Sequence, residues 1–284
     1  MIAPRWPFHP PTIAVLVTVT LLSGGQILAS ERERAVCGGF LEPLAFALWS
    51  GMAPAPDPSL VEGLTGVTGY EFVAGDGARL SGYRIRARSG KEIIDNPSGY
   101  VLIAPGNAMT ATHLVREFLF LSELGHDVYI LDYRGYGKSE GKRRLLAMTV
   151  DYGELINHLS EQYRKTYLLG LSLGGIVTLK AIRDGASFTK AIIDSSPSAV
   201  TQFLCPDTFN PVANVPRDAS DLLIITGGRD RVIPPGASAE LVATARAAGA
   251  RTWHCEECRH PLMDTDPELK AQRFGEIARF FRAD

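Results

Sequence analysis

The chain has 284 residues, 45% of them hydrophobic, and a formal net charge of −2. That length suits one domain of ordinary size with some extra at an end, and the composition supplies ample apolar mass for a large core. The near-balanced charge gives no footprint for nucleic acid or for an anionic membrane surface, and no low-complexity tract argues for disorder.

The first thirty residues differ from the rest. No Asp, Glu, Lys or Arg stands between Arg5 and Glu31, and Thr12 to Leu22 (TIAVLVTVTLL) is an unbroken run of apolar residues and threonine. Such a run is too short to span a bilayer unaided but suits the h-region of a secretory signal. Ser23-Gly24-Gly25 breaks it, and Ala29 offers a cleavage point. Residues 1–30 are therefore expected to be a signal peptide, with an uncleaved signal anchor as the alternative. The protein is expected to be exported, periplasmic or secreted, and to touch a membrane only through this segment.

Export permits disulfides, and Cys37, Cys205, Cys255 and Cys258 allow three pairings that spacing does not rank. Cys255-Glu-Glu-Cys258 with His254 and His260 also reads as a zinc cluster. Its ligands are crowded into seven residues, whereas structural zinc sites draw on separated pairs, so disulfides are preferred and no metal is expected.

Residues 31–67 read as an extension and linker. Phe40 to Trp49 is apolar enough for a short helix packed on the main body, and Met52-Ala-Pro-Ala-Pro-Asp-Pro breaks it. Residues 68–284 form the regular part. Tyr70-Glu-Phe-Val and Leu80 to Arg86 alternate around Gly75-Asp76-Gly77, a hairpin signal. Continuous apolar runs follow at Tyr100–Ala104, Val128–Leu131, Tyr167–Leu169, Ala191–Ile193 and Leu222–Ile225, with a further strand near 250–255. Runs apolar on both faces suit interior parallel strands. Helical segments fill the gaps at about 111–124, 148–163, 173–184, 236–248 and 267–282. This alternation predicts an α/β fold with a doubly wound, mostly parallel sheet and helices on both faces. Chemistry in such a sheet belongs just beyond the carboxyl ends of the strands.

Ser172 falls there, in Gly170-Leu171-Ser172-Leu173-Gly174, between a buried strand and a helix. A sharp strand-to-helix turn holds a serine in a strained backbone, and side chains two residues to either side would collide with it. A hydroxyl nucleophile needs a base, and the base an orienting acid. Asp230 follows the strand from Leu222, and His260 follows the last predicted strand. The order Ser172, Asp230, His260 is the one this arrangement uses. Asp194, at the end of the strand from Ala191, is a rival acid, and His254 a rival base lying inside a predicted strand. Two backbone donors should face the developing oxyanion. One is the N–H of Leu173. The other comes from Pro105-Gly106-Asn107-Ala108, with Asn107 preferred over Ala108.

These residues resemble the α/β-hydrolase family over roughly 68–284, and within it the branch with little or no cap domain. Asp132-Tyr-Arg-Gly-Tyr-Gly-Lys-Ser-Glu-Gly141 is very similar to that branch's segment after the fourth strand, and Pro105 stands where the branch carries histidine before its oxyanion glycine. The resemblance implies an α/β-hydrolase fold with an eight-stranded sheet, no cofactor, and activities that include esterases, lipases, thioesterases and some peptidases. Ser195 to Ser220 is 26 residues, room for a short lid over a fairly open site. Lys138, Lys142, Arg143 and Arg144 form a basic cluster, read as a solvated face in preference to an anion site. The expected function is hydrolysis of carboxylic ester or thioester bonds in a small or lipid-like acyl substrate, through an acyl-enzyme. Amide cleavage on the same residues, or a non-catalytic exported binding protein, are the alternatives.

Overall fold

The computed structural model describes residues 31–51 and 53–283, so the expected signal segment lies outside the described residues. Eight strands form the main sheet: β1 (Val67–Val73), β2 (Arg79–Ile85), β3 (Gly99–Ala104), β4 (Asp127–Leu131), β5 (Lys165–Leu171), β6 (Lys190–Asp194), β7 (Leu222–Gly227) and β8 (Arg251–Cys255). Their spatial order is β1-β2-β4-β3-β5-β6-β7-β8. β2 runs antiparallel to both of its neighbours, and every pairing from β4 to β8 is parallel. This is the expected α/β-hydrolase sheet.

Among the described residues, six complete helices accompany it: α1 (Leu41–Ser50), α2 (Ala111–Phe118), α3 (Leu145–Ser160), α4 (Leu173–Arg183), α5 (Pro235–Ala247) and α6 (Pro267–Arg282). The predicted helix over 111–124 divides at Phe118: its second half, Leu119–Leu124, is a 3-10 segment stopped by left-handed Gly125. The helix expected from 148 begins three residues earlier, where Arg144 is extended and leaves the first N–H groups of α3 to other acceptors.

The apolar strands separate two cores, because successive side chains point to opposite faces. Tyr100, Leu102 and Ala104 of β3 join α3, α4 and α5 on one face. Val101 and Ile103 join Leu114, Phe118, Ile277, Phe280 and Phe281 of α2 and α6 on the other. Every residue of β3, β4, β6 and β7 is buried, as strands covered on both sides require. Strand order reverses direction between β3 and β5, so a crevice opens beyond their carboxyl ends.

The segment 31–50 docks on this body through charge as well as apolar contact. Arg32 holds Glu154 with both terminal nitrogens, at 2.8 and 2.5 Å. Glu33 accepts the Lys142 backbone N–H at 2.9 Å and pairs with the Lys142 ammonium at 3.2 Å. Arg144 donates to the Glu33 carbonyl, and Arg143 donates to the Gly135 carbonyl and lies over the Tyr136 ring. Most of the basic cluster expected to be a solvated face therefore clamps neighbouring chain. The Arg of the Asp-Tyr-Arg-Gly segment, Arg134, is buried between Asp76 and Asp151.

Candidate active site

Ser172 stands between β5 and α4 with φ 53° and ψ −111°. The flanking glycines explain how that turn closes. A Cβ on Gly174 would lie 1.9 Å from the Ala104 carbonyl oxygen, and one on Gly170 would lie 2.6 Å from the Gly174 carbonyl oxygen. Only hydrogen fits at either place. The Ser172 N–H donates to the Asp194 carbonyl at 2.8 Å, and the Ser172 carbonyl accepts from Gly175 N–H and the Ser196 hydroxyl. A strained residue held from both sides in this way is fixed by its surroundings.

Asp230 and His260 reach the same place from β7 and β8. Gly228 permits the approach, since a Cβ there would lie 2.3 Å from the Glu256 carbonyl oxygen. Gly228 N–H donates to Cys255 O and Arg229 N–H to Cys258 O, tying the two loops together. His260 Nδ1 then sits 2.8 Å from Asp230 Oδ2, with both side chains buried. The other Asp230 oxygen accepts the N–H groups of Val232 and Ile233, each at 2.8 Å. Burial opposes ionisation of Asp230, but the hydrogen bond and charge of His260 and these two N–H groups outweigh it and hold the carboxyl below its ordinary range.

The rivals are engaged elsewhere. Asp194 is fully buried against Arg273, at 3.0 and 3.2 Å, and accepts the Ser195 hydroxyl. Burial raises its pKa despite Arg273. His254 lies in β8 with Nδ1 on the Thr226 hydroxyl and Nε2 on Glu256. The crowded zinc reading fails on chemistry: Cys255 and Cys258 form a disulfide, as do Cys37 and Cys205.

In the loop after β3, Gly106 N–H donates to Met109 Sδ and Ala108 N–H to the Asn107 side-chain oxygen, which also accepts the Tyr136 hydroxyl at 2.6 Å. Tyr133 donates to the Pro105 carbonyl at 2.8 Å. The N–H groups of Asn107 and Leu173 have no acceptor among the described hydrogen bonds. The tyrosines of the Asp-Tyr-Arg-Gly-Tyr-Gly segment thus fix this loop where histidine is missing. Asp132 of the same segment accepts the Ala111 N–H at 2.7 Å at the start of α2.

Ser172, Leu173, Asn107 and His260 all line one cavity of about 670 Å³. Of its other walls, the β6–β7 segment stands where a short lid was expected, and the α1 wall was not anticipated. Leu41, Ala45 and Phe46 of α1 form one side, and Val200, Phe203 and Leu204 of the β6–β7 segment another, with the Cys37–Cys205 disulfide between them. Glu42, the single charged residue from Cys37 to Pro56, is buried and holds this wall in place. Its carboxylate accepts the N–H groups of Val36, Cys37 and Leu145. A lone acid in an apolar stretch was the available signal, because such a residue needs internal donors.

Fold and cavity define an α/β hydrolase. The comparisons with known proteins agree: the sequence model of the family described as serine aminopeptidase, S33, matches residues 95–213. The uncharacterized protein YfhR of Escherichia coli K12 is 30% identical over 210 residues, covering 67% of this chain and 70% of YfhR. Among solved structures, the Pyrococcus furiosus esterase Pf2001 superposes with a TM-score of 0.59 at 17% identity, covering 81% of this chain and 96% of the esterase. A Mycobacterium tuberculosis puromycin-hydrolyzing peptidase does so with 0.62 at 15%, covering 76% of this chain and 38% of the peptidase. The chain belongs to the α/β-hydrolase family.

Proposed function

We propose that this protein is a serine hydrolase that cleaves ester bonds of apolar acyl substrates. Ser172 Oγ attacks the acyl carbon while His260 takes its proton, and His260 then returns a proton to the departing alcohol. Asp230 holds the imidazole in the tautomer whose Nε2 can accept. The N–H groups of Leu173 and Asn107 receive the oxyanion. Water repeats the sequence on the acyl-enzyme and frees Ser172.

The observation that carries the ester reading is the cavity wall. Among the described residues, Glu42 and His260 are the only charged or titratable side chains lining it, and Glu42 is consumed by three backbone N–H groups. An aminopeptidase needs a free carboxylate to meet the substrate's α-ammonium, and the described residues of this wall offer none. An aliphatic chain meets Leu41, Phe46, Ile176, Val200 and Ile233 instead. The disulfides fit an oxidising compartment and hence export.

A panel of p-nitrophenyl esters of rising chain length tests this, with Ser172→Ala as the blank and fluorophosphonate labelling as the probe of the nucleophile. The expected result is labelling of the parent only and a preference for medium or long acyl chains. Turnover of aminoacyl amides exceeding that of every ester would overturn the substrate class. Absence of both labelling and turnover in folded protein would overturn the chemistry.

A further inference from the structure

We infer that α1 and the turn at 201–205, joined by the Cys37–Cys205 disulfide, form a rim that docks on a lipid surface and opens the cavity toward it. The inference rests on reading the cavity as an acyl site. Its first ground is where exposed apolar residues are found. Of the nine large hydrophobic residues exposed among the described residues, Phe40, Leu41, Leu44 and Leu48 belong to α1 or its first turn, and Phe203 and Leu204 to the facing turn. Val232 and Met263 stand on the loops that carry Asp230 and His260. Five of these eight line the cavity itself. The ninth, Val73, is on the far edge strand. Exposed apolar residues on a soluble protein are ordinarily scattered, and a cluster at one mouth marks a contact surface.

The second ground is charge. An outward helix face normally carries Lys, Arg, Asp or Glu. From Cys37 to Pro56 the only one is Glu42, and its carboxylate points inward to backbone donors. The segment Ser195 to Pro206 contains none. Two segments far apart in sequence have therefore both shed charge where they meet around the mouth. That composition fits the hydrocarbon boundary of a bilayer and not an ionic partner. A second copy of the chain seated here would cover the mouth and shut substrate out. A lipid surface is the occupant that can also deliver an acyl chain into a cavity lined by the same residues. In sequence, moreover, the apolar run Thr12–Leu22 precedes the segment that bears this rim, with residues 23–36 between them.

The experiment uses the full chain in a Ser172→Ala background, so that lipid is not consumed. Tryptophan is introduced singly at Leu44→Trp, at Met263→Trp across the mouth, and at Gln162→Trp, which is exposed before β5 at the opposite end of the sheet. Fluorescence is read with phosphatidylcholine vesicles with and without acyl-chain bromine, as excess over the Trp6, Trp49 and Trp253 of the background. Shallow insertion should quench the Leu44→Trp and Met263→Trp excess by about twofold or more and leave Gln162→Trp unchanged. Tethering by the N-terminal run alone would quench none of the three above background, and unspecific adsorption would quench all three alike. A stable dimer in lipid-free buffer, with both rim probes shielded and no quenching, would assign the face to a second copy. Each of those three results overturns the inference. None depends on turnover, so failure here is distinct from failure of the ester reading.

Discussion

Replacing Asp230 by Asn separates the proposed orienting role from everything else the residue does. One Asp230 oxygen accepts from Val232 and Ile233, each at 2.8 Å, and the asparagine carbonyl oxygen can keep both bonds. The other faces His260 Nδ1 at 2.8 Å, where the variant places an amide N–H2. That donor requires Nδ1 to accept, which moves the imidazole proton to Nε2. An Nε2 that already carries its proton cannot take one from Ser172. The fold should therefore lose little, about 1 kcal/mol for one weakened buried hydrogen bond. The rate should lose about 10⁴-fold in kcat, the scale expected when an imidazole is locked in the wrong tautomer. Steady-state ester hydrolysis gives kcat, and urea unfolding of the same preparation gives stability. Asp194→Asn is the necessary companion, because Asp194 is the other carboxylate at a neighbouring strand end. If Asp230→Asn keeps its rate within about tenfold while folded Asp194→Asn loses about 10³-fold or more, the acid is Asp194 and the reasoning is wrong.

Four further changes test other parts of the structure. Cys37→Ser with Cys205→Ser opens a loop of sequence separation 168 and should cost up to about 5 kcal/mol, against about 2 for the pair separated by 3, both read by urea unfolding. Limited proteolysis of the first pair variant should cut ahead of β1, since the segment 31–66 then has no covalent tie to the β6–β7 segment. Arg273→Ala leaves Asp194 buried without its partner and should cost about 3–5 kcal/mol at neutral pH. Because Asp194 already has a raised folded-state pKa, the folded variant binds a proton more tightly than the unfolded chain, so that deficit should shrink as pH falls. The Asp132 carboxyl is pushed up to about 6 by burial, against the Ala111 N–H, so its ionisation lowers stability as pH rises from its unfolded value through that point. Asp132→Asn keeps an acceptor for Ala111 and should gain on the order of 2 kcal/mol over the parent above that range, and nothing well below it. Gly174→Ala puts a methyl group 1.9 Å from the Ala104 carbonyl oxygen. It should cost about 1–3 kcal/mol or more and lower kcat about 10²-fold by displacing the loop that carries Asn107.

Strands were legible because burial on both faces leaves unbroken apolar runs, and β3, β4, β6 and β7 lie where those runs stand. The places of Ser172, Asp230 and His260 were legible for a related reason, since each follows a strand whose end is marked by glycine or by a change of composition. The pairing of the cysteines was not, because it depends on which loops meet. Cys37 and Cys205 are brought together only by the docking of α1 against the β6–β7 segment. The contacts of Lys142 and Arg144 were not legible because their partner, Glu33, precedes them by more than a hundred positions. In the 105–108 loop, likewise, the Ala108 N–H is occupied by the Asn107 side-chain oxygen, a contact that spacing does not reveal.

The regular strand-and-helix pattern read from the sequence begins near residue 68, yet the lining of the cavity does not. Leu41, Ala45 and Phe46 come from chain that precedes the first strand, and without them Ile176, Val200 and Leu145 would face water. Burying such side chains stabilises by about 1.5–3 kcal/mol each, so α1 cannot be a passive leader to the body. Glu42 strengthens the point, because its three backbone donors come from both sides of the boundary: Val36 and Cys37 before it, Leu145 at the start of α3. Removing the segment would leave the α3 N-terminus without that carboxylate and the cavity without one wall. The cavity of this sheet-and-helix body is thus completed by chain that precedes its first strand. The Cys37–Cys205 disulfide joins the chain just ahead of α1 to the β6–β7 segment across that cavity.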